Sequence, residues 1–335
     1  MSIMRNKLFA LSLLVLSAGF AGCSNDDEED LIGNWIKRSD FEGVARSDAA
    51  SFTIGNTAYI CTGYDGKDRL NDLWKCDGSQ WTQLASMPEA AAARSSATAI
   101  GIGDKGYVGL GYDGDDYLGD FWCYDPASNS WQRKADFGGG VRHSATGFSL
   151  GNLGYIGTGY NGNYLKDFYS YEPSSNSWTK INSPDGSKRQ GASSFVIGNK
   201  AYIVGGVNNG TYVNDFFMYD PASGLWTEKR KIADVTDQTY DDDYAITRSY
   251  GVAFTVGLKA YYTCGESGSL RSDTWEYDPI SDLWKEKTSF EGTTRTAPVA
   301  FTINGRGYIA TGRSSSYRFD DMFELMPDDE YDQYD

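Results

Sequence analysis

The chain has 335 residues, a formal charge of −16, 15% aromatic residues, 39 glycines, 8 prolines and one histidine. An acidic surface excludes nucleic acid as a partner, because a phosphate backbone requires a concentrated basic face. The lone histidine, His143, is too few for zinc, copper or non-haem iron, which draw on two or more imidazoles, so neither a metal nor a cofactor is expected.

Residues 1–22 place Arg5 and Lys7 before the apolar run LFALSLLVL and the small residues SAGFAG, the layout of a targeting segment. Its end, Phe20-Ala21-Gly22-Cys23, resembles a bacterial lipobox with Phe20 in the place of the usual leucine. The resemblance implies acylation of Cys23 and an outer-membrane lipoprotein that touches the membrane only through that lipid. An ordinary cleaved signal followed by a chance cysteine is the plain alternative. Residues 23–30 then form an acidic tether with nothing to bury. They resemble the acidic surface-export signal of lipoproteins in one group of Gram-negative bacteria, which implies exposure outside the outer membrane. The periplasmic side is the alternative.

From residue 31 to 327 the chain repeats itself. Arg46, Arg94, Arg142, Arg189, Arg248 and Arg295 are separated by 48, 48, 47, 59 and 47 residues, and Tyr59, Tyr107, Tyr155, Tyr202, Tyr261 and Tyr308 keep the same intervals. Six units follow. In each, a pair such as Gly55-Asn56 or Gly151-Asn152 joins two short strands as a tight hairpin. An aspartate opens a third, aromatic strand, and a turn such as Asp125-Pro126 leads to a tryptophan strand. Four strands, a to d from the inside out, make one propeller blade. The sixth unit lacks its d strand, and residues 328–335 are only an acidic tail. Trp35 stands 11 residues before Arg46, as Trp131 stands before Arg142. The N-terminal strand around Trp35 is therefore expected to close the last blade and leave no sheet edge.

This pattern resembles the kelch repeat, with the glycine doublet whole as Gly205-Gly206 and relaxed elsewhere. The resemblance implies an all-β, six-bladed kelch-type β-propeller. Cys61, Cys76, Cys123 and Cys264 fall inside strands at non-equivalent positions and read as buried thiols, with a Cys61–Cys76 bridge left open.

The b–c loops and d–a connections share one face. The decapeptide WCYDPASNSW is a c–d turn, built of turn formers, and belongs to the scaffold. On the b–c face the six arginines, each just before an innermost strand, are candidates to ring the channel mouth and grip an acidic ligand. Tyr64, Tyr112 and Tyr160 begin b–c loops and offer flat platforms for a glycan, with His143 beside them. The competing reading is structural: Asp72, Asp120, Asp167, Asp215, Asp273 and Asp321 open the c strands at matching spacing and are natural partners for the arginines. The connection from Trp226 to Arg248 is 22 residues where its counterparts have 11 to 13, and its acidic stretch within 231–247 is a candidate lid, plug or solvated loop.

Two kelch-type families bear on chemistry. Galactose oxidase needs two histidines at its copper, which this chain cannot supply. The segment CGESGSLRSDTWEYD is similar to the segment of bacterial N-acetylneuraminate mutarotase that carries a glutamate followed by an arginine, with a spacing one residue shorter. The resemblance implies Glu266 as general acid/base and Arg271 as carboxylate holder. Kelch domains of ubiquitin-ligase adaptors use arginines at the matching a-strand position for acidic peptides. The leading expectation is a binding module for a glycan or an acidic protein or ligand, within nutrient uptake alongside outer-membrane proteins. A mutarotase and a purely architectural lipoprotein are the alternatives.

Overall fold

The computed structural model describes residues 31–235 and 244–332, with Tyr334. The expected signal segment, Cys23, the tether and the centre of the long acidic connection lie outside the described residues.

Short strands of five residues or fewer, broken by turns, cannot bury their faces alone, so they stack as sheets around an axis. The first blade runs Ala50–Ile54, Thr57–Cys61, Leu73–Cys76 and Trp81–Leu84, each antiparallel to the next. Four more four-stranded sheets repeat that order. The sixth is Val299–Ile303, Arg306–Ala310, Met322–Met326 and, outermost, Asn34–Lys37, with Trp35 opposite Leu325. The ring is closed as the Trp35 spacing predicts. The expected tail is tied in as well: Gly33 donates to the Asp329 carbonyl at 2.8 Å, and the Asp332 amide donates to Asn34 Oδ1 at 3.1 Å.

Alternation along the innermost strands decides what each side chain does. Phe52, Ile100, Phe148, Phe195, Phe254 and Phe301 point between blades and are buried. The repeated tyrosines of strand b stack on the five phenylalanines, as Tyr59 does on Phe52 at 4.7 Å between ring centres. The alternate residues are small or hydroxylic, among them Ser51, Thr53, Ala99, Gly101 and Gly147, and line an axial cavity of about 360 Å³. Its hydroxyls bridge blades: Ser51, Ser194, Thr255 and Thr302 each donate to a carbonyl of the preceding blade. Cys61, Cys76, Cys123 and Cys264 are all free and buried, so the Cys61–Cys76 bridge is not formed.

The acidic connection has a structured base. Ala233 bridges Ala245, Ile246 donates to the Ile232 carbonyl at 3.0 Å, and Ile232, Tyr244 and Ile246 are buried against blades four and five.

Candidate functional site

The six arginines do not present donors at the mouth. Each is at most 1% exposed and turns outward into its own blade. Arg46 shows the arrangement: Nη1 and Nη2 donate to the two carboxylate oxygens of Asp72 at 2.6 and 2.8 Å, Nη1 donates to the Thr62 carbonyl, and Nε to the Val44 carbonyl. Arg94–Asp120, Arg142–Asp167 and Arg295–Asp321 repeat the fork. Arg189 and Arg248 grip one carboxylate oxygen and the backbone carbonyl of Asp215 and Asp273. The expectation that Arg46, Arg94, Arg142, Arg189, Arg248 and Arg295 bind a ligand is corrected on this ground. Their bidentate geometry is used internally, and a buried ion pair opened to a ligand would strand its aspartate. Burial alone would raise the Asp120 carboxyl, yet the Arg94 guanidinium and the Trp122 indole hold it below the ordinary carboxylate range.

Two residues beyond each arginine stand Asp48, Ser96, Ser144, Gly191, Tyr250 and Ala297. All six have left-handed backbone, with φ between 51° and 62°. Their amides donate, blade to blade, to the carbonyl of the same position in the preceding blade: Ser96 to Asp48, Ser144 to Ser96, Gly191 to Ser144, Tyr250 to Gly191, Ala297 to Tyr250 and Asp48 to Ala297, at 2.8–3.1 Å. This closed ring of hydrogen bonds frames a mouth cavity of about 120 Å³. Because the backbone is symmetric and satisfied, the side chains are free to differ, and here the symmetry breaks.

Polar groups crowd one arc of the mouth. Ser96 Oγ reaches an Asp48 carboxylate oxygen at 3.4 Å, and His143 Nδ1 lies 2.9 Å from Ser144 Oγ. Tyr250 lies over Gly191, where any Cβ would meet its ring at 2.9–3.0 Å, so glycine there satisfies both the left-handed backbone and the ring. Burial pushes the Tyr250 phenol up to about 12, the Ser144 hydroxyl opposes the shift, and the Asp48 and Glu266 carboxylates add to it. Burial depresses the His143 imidazole below its ordinary value, against the pull of Asp48.

Above the mouth the b–c loops interlock. The first residue of each loop pairs with the residue just after the arginine: Ser47 with Tyr64, Ser95 with Tyr112, His143 with Tyr160, Gln190 with Val207, Ser249 with Glu266 and Thr296 with Arg313. A second residue four or five positions on reaches the next blade. Arg318 lies over the Tyr64 ring at 5.0 Å, and Arg69 lies between Tyr64 at 5.4 Å and Tyr112 at 4.6 Å. Gly114 leaves room for the Arg69 guanidinium, which a Cβ would meet at 2.6 Å. Tyr117 continues the arc, 5.0 Å from His143 and 6.1 Å from Tyr160, and Tyr164 closes it 5.0 Å from Tyr160. The structure thus brings Tyr64, Tyr112, Tyr160 and His143 onto one half of the face, all partly exposed.

It does not bring Glu266 and Arg271 together. Arg271 Nε donates to Asp273 Oδ1 at 2.8 Å and Nη2 to the Ala245 carbonyl at 3.3 Å, which turns it outward toward the base of the acidic connection. Glu266 lies on the mouth side, where its charge acts on Tyr250. The pairing of Glu266 with Arg271 that the resemblance implies is therefore not formed in this structure, where Arg271 Nε and Nη2 are engaged by Asp273 and the Ala245 carbonyl. Among the described residues no three His, Cys, Asp or Glu side chains converge as a metal set.

Six four-stranded blades closed by the N-terminal strand, with a loop-lined mouth on one face, define a six-bladed β-propeller. The chain matches the KLHDC2/KLHL20/DRC7 Kelch-repeats domain over residues 136–312, more than half of its length, and the Kelch motif over residues 93–138. It belongs to the kelch-repeat family. The solved structure of YjhT is similar over 85% of this chain and 95% of its own, at a TM-score of 0.70 and 18% sequence identity, a likeness of fold. No curated protein matches the chain.

Proposed function

We propose that this kelch propeller is a binding module for a glycan, taken up on the b–c loop face. The observation that carries the reading is the half-exposed arc of Tyr64, Tyr112, Tyr117, Tyr160 and Tyr164 around His143, bordering an open mouth. Phenol rings offer an apolar face for a sugar ring and a hydroxyl at the edge. An acidic ligand loses its main support with the arginine ring internally neutralised. Lipid anchoring through Cys23, exposure outside the outer membrane and a place in nutrient uptake remain part of the proposal and rest on the N-terminal sequence.

The test is a glycan panel titrated against the protein by proton NMR. Broadening of sugar signals is expected, and Tyr112→Ala and Tyr160→Ala each weaken binding about tenfold, the ratio that one lost stacking contact supplies. Sharp signals across the panel, with a stable protein co-purifying instead, overturn the reading in favour of an architectural role.

A mutarotase is the second reading, favoured by Glu266 beside the Tyr250 phenol at the mouth. Freshly released α-N-acetylneuraminic acid decides it. Relaxation to the β form at the buffer rate rules the activity out, and acceleration lost in Glu266→Gln establishes it.

A further inference from the structure

Tyrosines cover half of the b–c face; the other half is built differently. In blades four, five and six the leading loop residues are Val207, Glu266 and Arg313 in place of tyrosine. Their partners are Gln190, Ser249 and Thr296, and each keeps a buried oxygen without a hydrogen-bond partner, Gln190 Oε1, Ser249 Oγ and Thr296 Oγ1, as does Ser47 Oγ at the same position opposite Tyr64 in blade one. Ser249 is 1% exposed and Thr296 fully buried. Oxygens at one repeated position in four adjacent blades form a pattern, each such orphan weakens the free protein, and only in blades five and six does a charged loop residue stand opposite it.

Directly opposed residues of an antiparallel pair share a face. Ser249 Oγ therefore lies on the side of the Glu266 side chain, and Thr296 Oγ1 on the side of Arg313. Blade three shows where this position sits relative to the loops, since His143 contacts Tyr112 of the preceding loop at 6.3 Å and Tyr160 of its own at 5.7 Å. Thr296 is the counterpart between Glu266 and Arg313, and the Gly265 amide, next to Glu266, donates to the Arg295 carbonyl, next to Thr296, at 2.8 Å. Among the described residues the Glu266 carboxylate makes no hydrogen bond or ion pair. Arg313 forms an ion pair with Asp48, Nε to carboxylate at 3.7 Å, and among the described residues its guanidinium makes no hydrogen bond.

We infer that this sector is a hydroxyl-reading subsite for a neutral sugar ring, gripped through a vicinal diol. One hydroxyl donates to the Glu266 carboxylate, its neighbour accepts from the Arg313 guanidinium, and the Ser249 and Thr296 hydroxyls complete the set. Glu266 accepts and Arg313 donates, so a diol, whose hydroxyls both donate and accept, satisfies the two together with no charge of its own. The inference deepens the glycan reading and rests on it.

Saturation-transfer NMR on the full chain, with methyl glycosides of glucose, galactose and mannose and their single-deoxy analogues, tests it. At least one parent glycoside is expected to bind, and loss of either diol hydroxyl, or Glu266→Gln, or Arg313→Lys, weakens it about tenfold, the ratio of one hydrogen bond to a charged group. Thr296→Val provides a readout that a merely structural residue does not give. It raises the thermal midpoint of the free protein by removing a buried orphan hydroxyl, and it weakens the glycoside. Oligosaccharide binding that responds to Tyr112→Ala but not to Arg313→Lys or Thr296→Val overturns the subsite and leaves the glycan module standing. A protein that binds no sugar at all overturns both.

Discussion

Asp273 holds two cations at once: Arg248 through Nη2, and Arg271 through Nε at 2.8 Å, with the Trp275 indole donating at 2.6 Å. Burial alone would raise its carboxyl, but Arg271, Arg248 and Trp275 hold it down at about 2, against an ordinary 3.8. A depressed carboxyl contributes stability above its unfolded value and loses it as pH falls toward the folded one, so this contribution fades between about pH 4 and pH 2. Asp273→Asn leaves Arg248 buried without its countercharge and is expected to cost about 3–5 kcal/mol at pH 7. Urea unfolding of both proteins at pH 7, 4 and 2.5 should show the gap narrowing in acid. A gap that stays constant would mean that the carboxylate charge is not what the arginine uses. The same geometry explains why a residue repeated in every blade was a poor guide to a ligand. The arginine spacing is plain in the chain, but the direction of the side chain is set by the aspartate about 26 residues on, which only the folded blade brings to it.

The tryptophan turn is a staple between blades. In Asp125-Pro126-Ala127-Ser128-Asn129-Ser130-Trp131, the Asp125 carboxylate accepts from the Ala127 amide at 3.0 Å, which folds the turn. Asn129 has φ 47°, and its Oδ1 accepts from the Tyr124 hydroxyl at 2.8 Å and from the Ala85 amide of the preceding blade at 3.0 Å. The Trp131 indole donates to the Ala85 carbonyl at 2.8 Å, so one residue of blade one is held at both its amide and its carbonyl. Asn176 and Trp178 repeat this on Ala135. Asn129→Ala loses both hydrogen bonds and the left-handed preference, an expected cost of about 2 kcal/mol, and Asn129→Gly, which keeps the backbone, costs less. Equal costs by thermal unfolding would show that the backbone conformation contributes nothing. Turn and tryptophan are legible in sequence because the same residue types recur. The ring of Asp48, Ser96, Ser144, Gly191, Tyr250 and Ala297 is not, because what recurs there is a left-handed backbone and an interblade hydrogen bond, with no shared side chain. Its only sequence signal is position, two residues past each arginine.

Around the whole molecule, closure depends on one strand from the far end of the chain. Asn34–Lys37 pairs with Met322–Met326, and the Trp35 ring packs edge-on against Phe290 at 5.1 Å and Phe254 at 6.2 Å in blade five. The same strand therefore completes the sixth sheet and seals its seam with the fifth, which is readable from Trp35 standing the same 11 residues before Arg46 that separate Trp131 from Arg142. Trp35→Ala empties a fully packed site and is expected to cost about 3–5 kcal/mol. Removal of residues 31–37 does more, because it exposes the Met322–Met326 edge as a template for another chain, and self-association visible by light scattering is expected along with a lower thermal midpoint. A rearranged chain separates the two effects. Asn34 lies opposite Met326 and Gly33 bonds to Asp329, so residues 31–41 joined through a tight turn after Asp329 can form an ordinary c–d hairpin. If pairing and the Trp35 seal are what close the ring, this chain recovers the monomer and most of the lost midpoint although its ends have moved. If it stays as weak as the deletion, covalent continuity from Lys37 to Arg46 holds the sixth blade against the first.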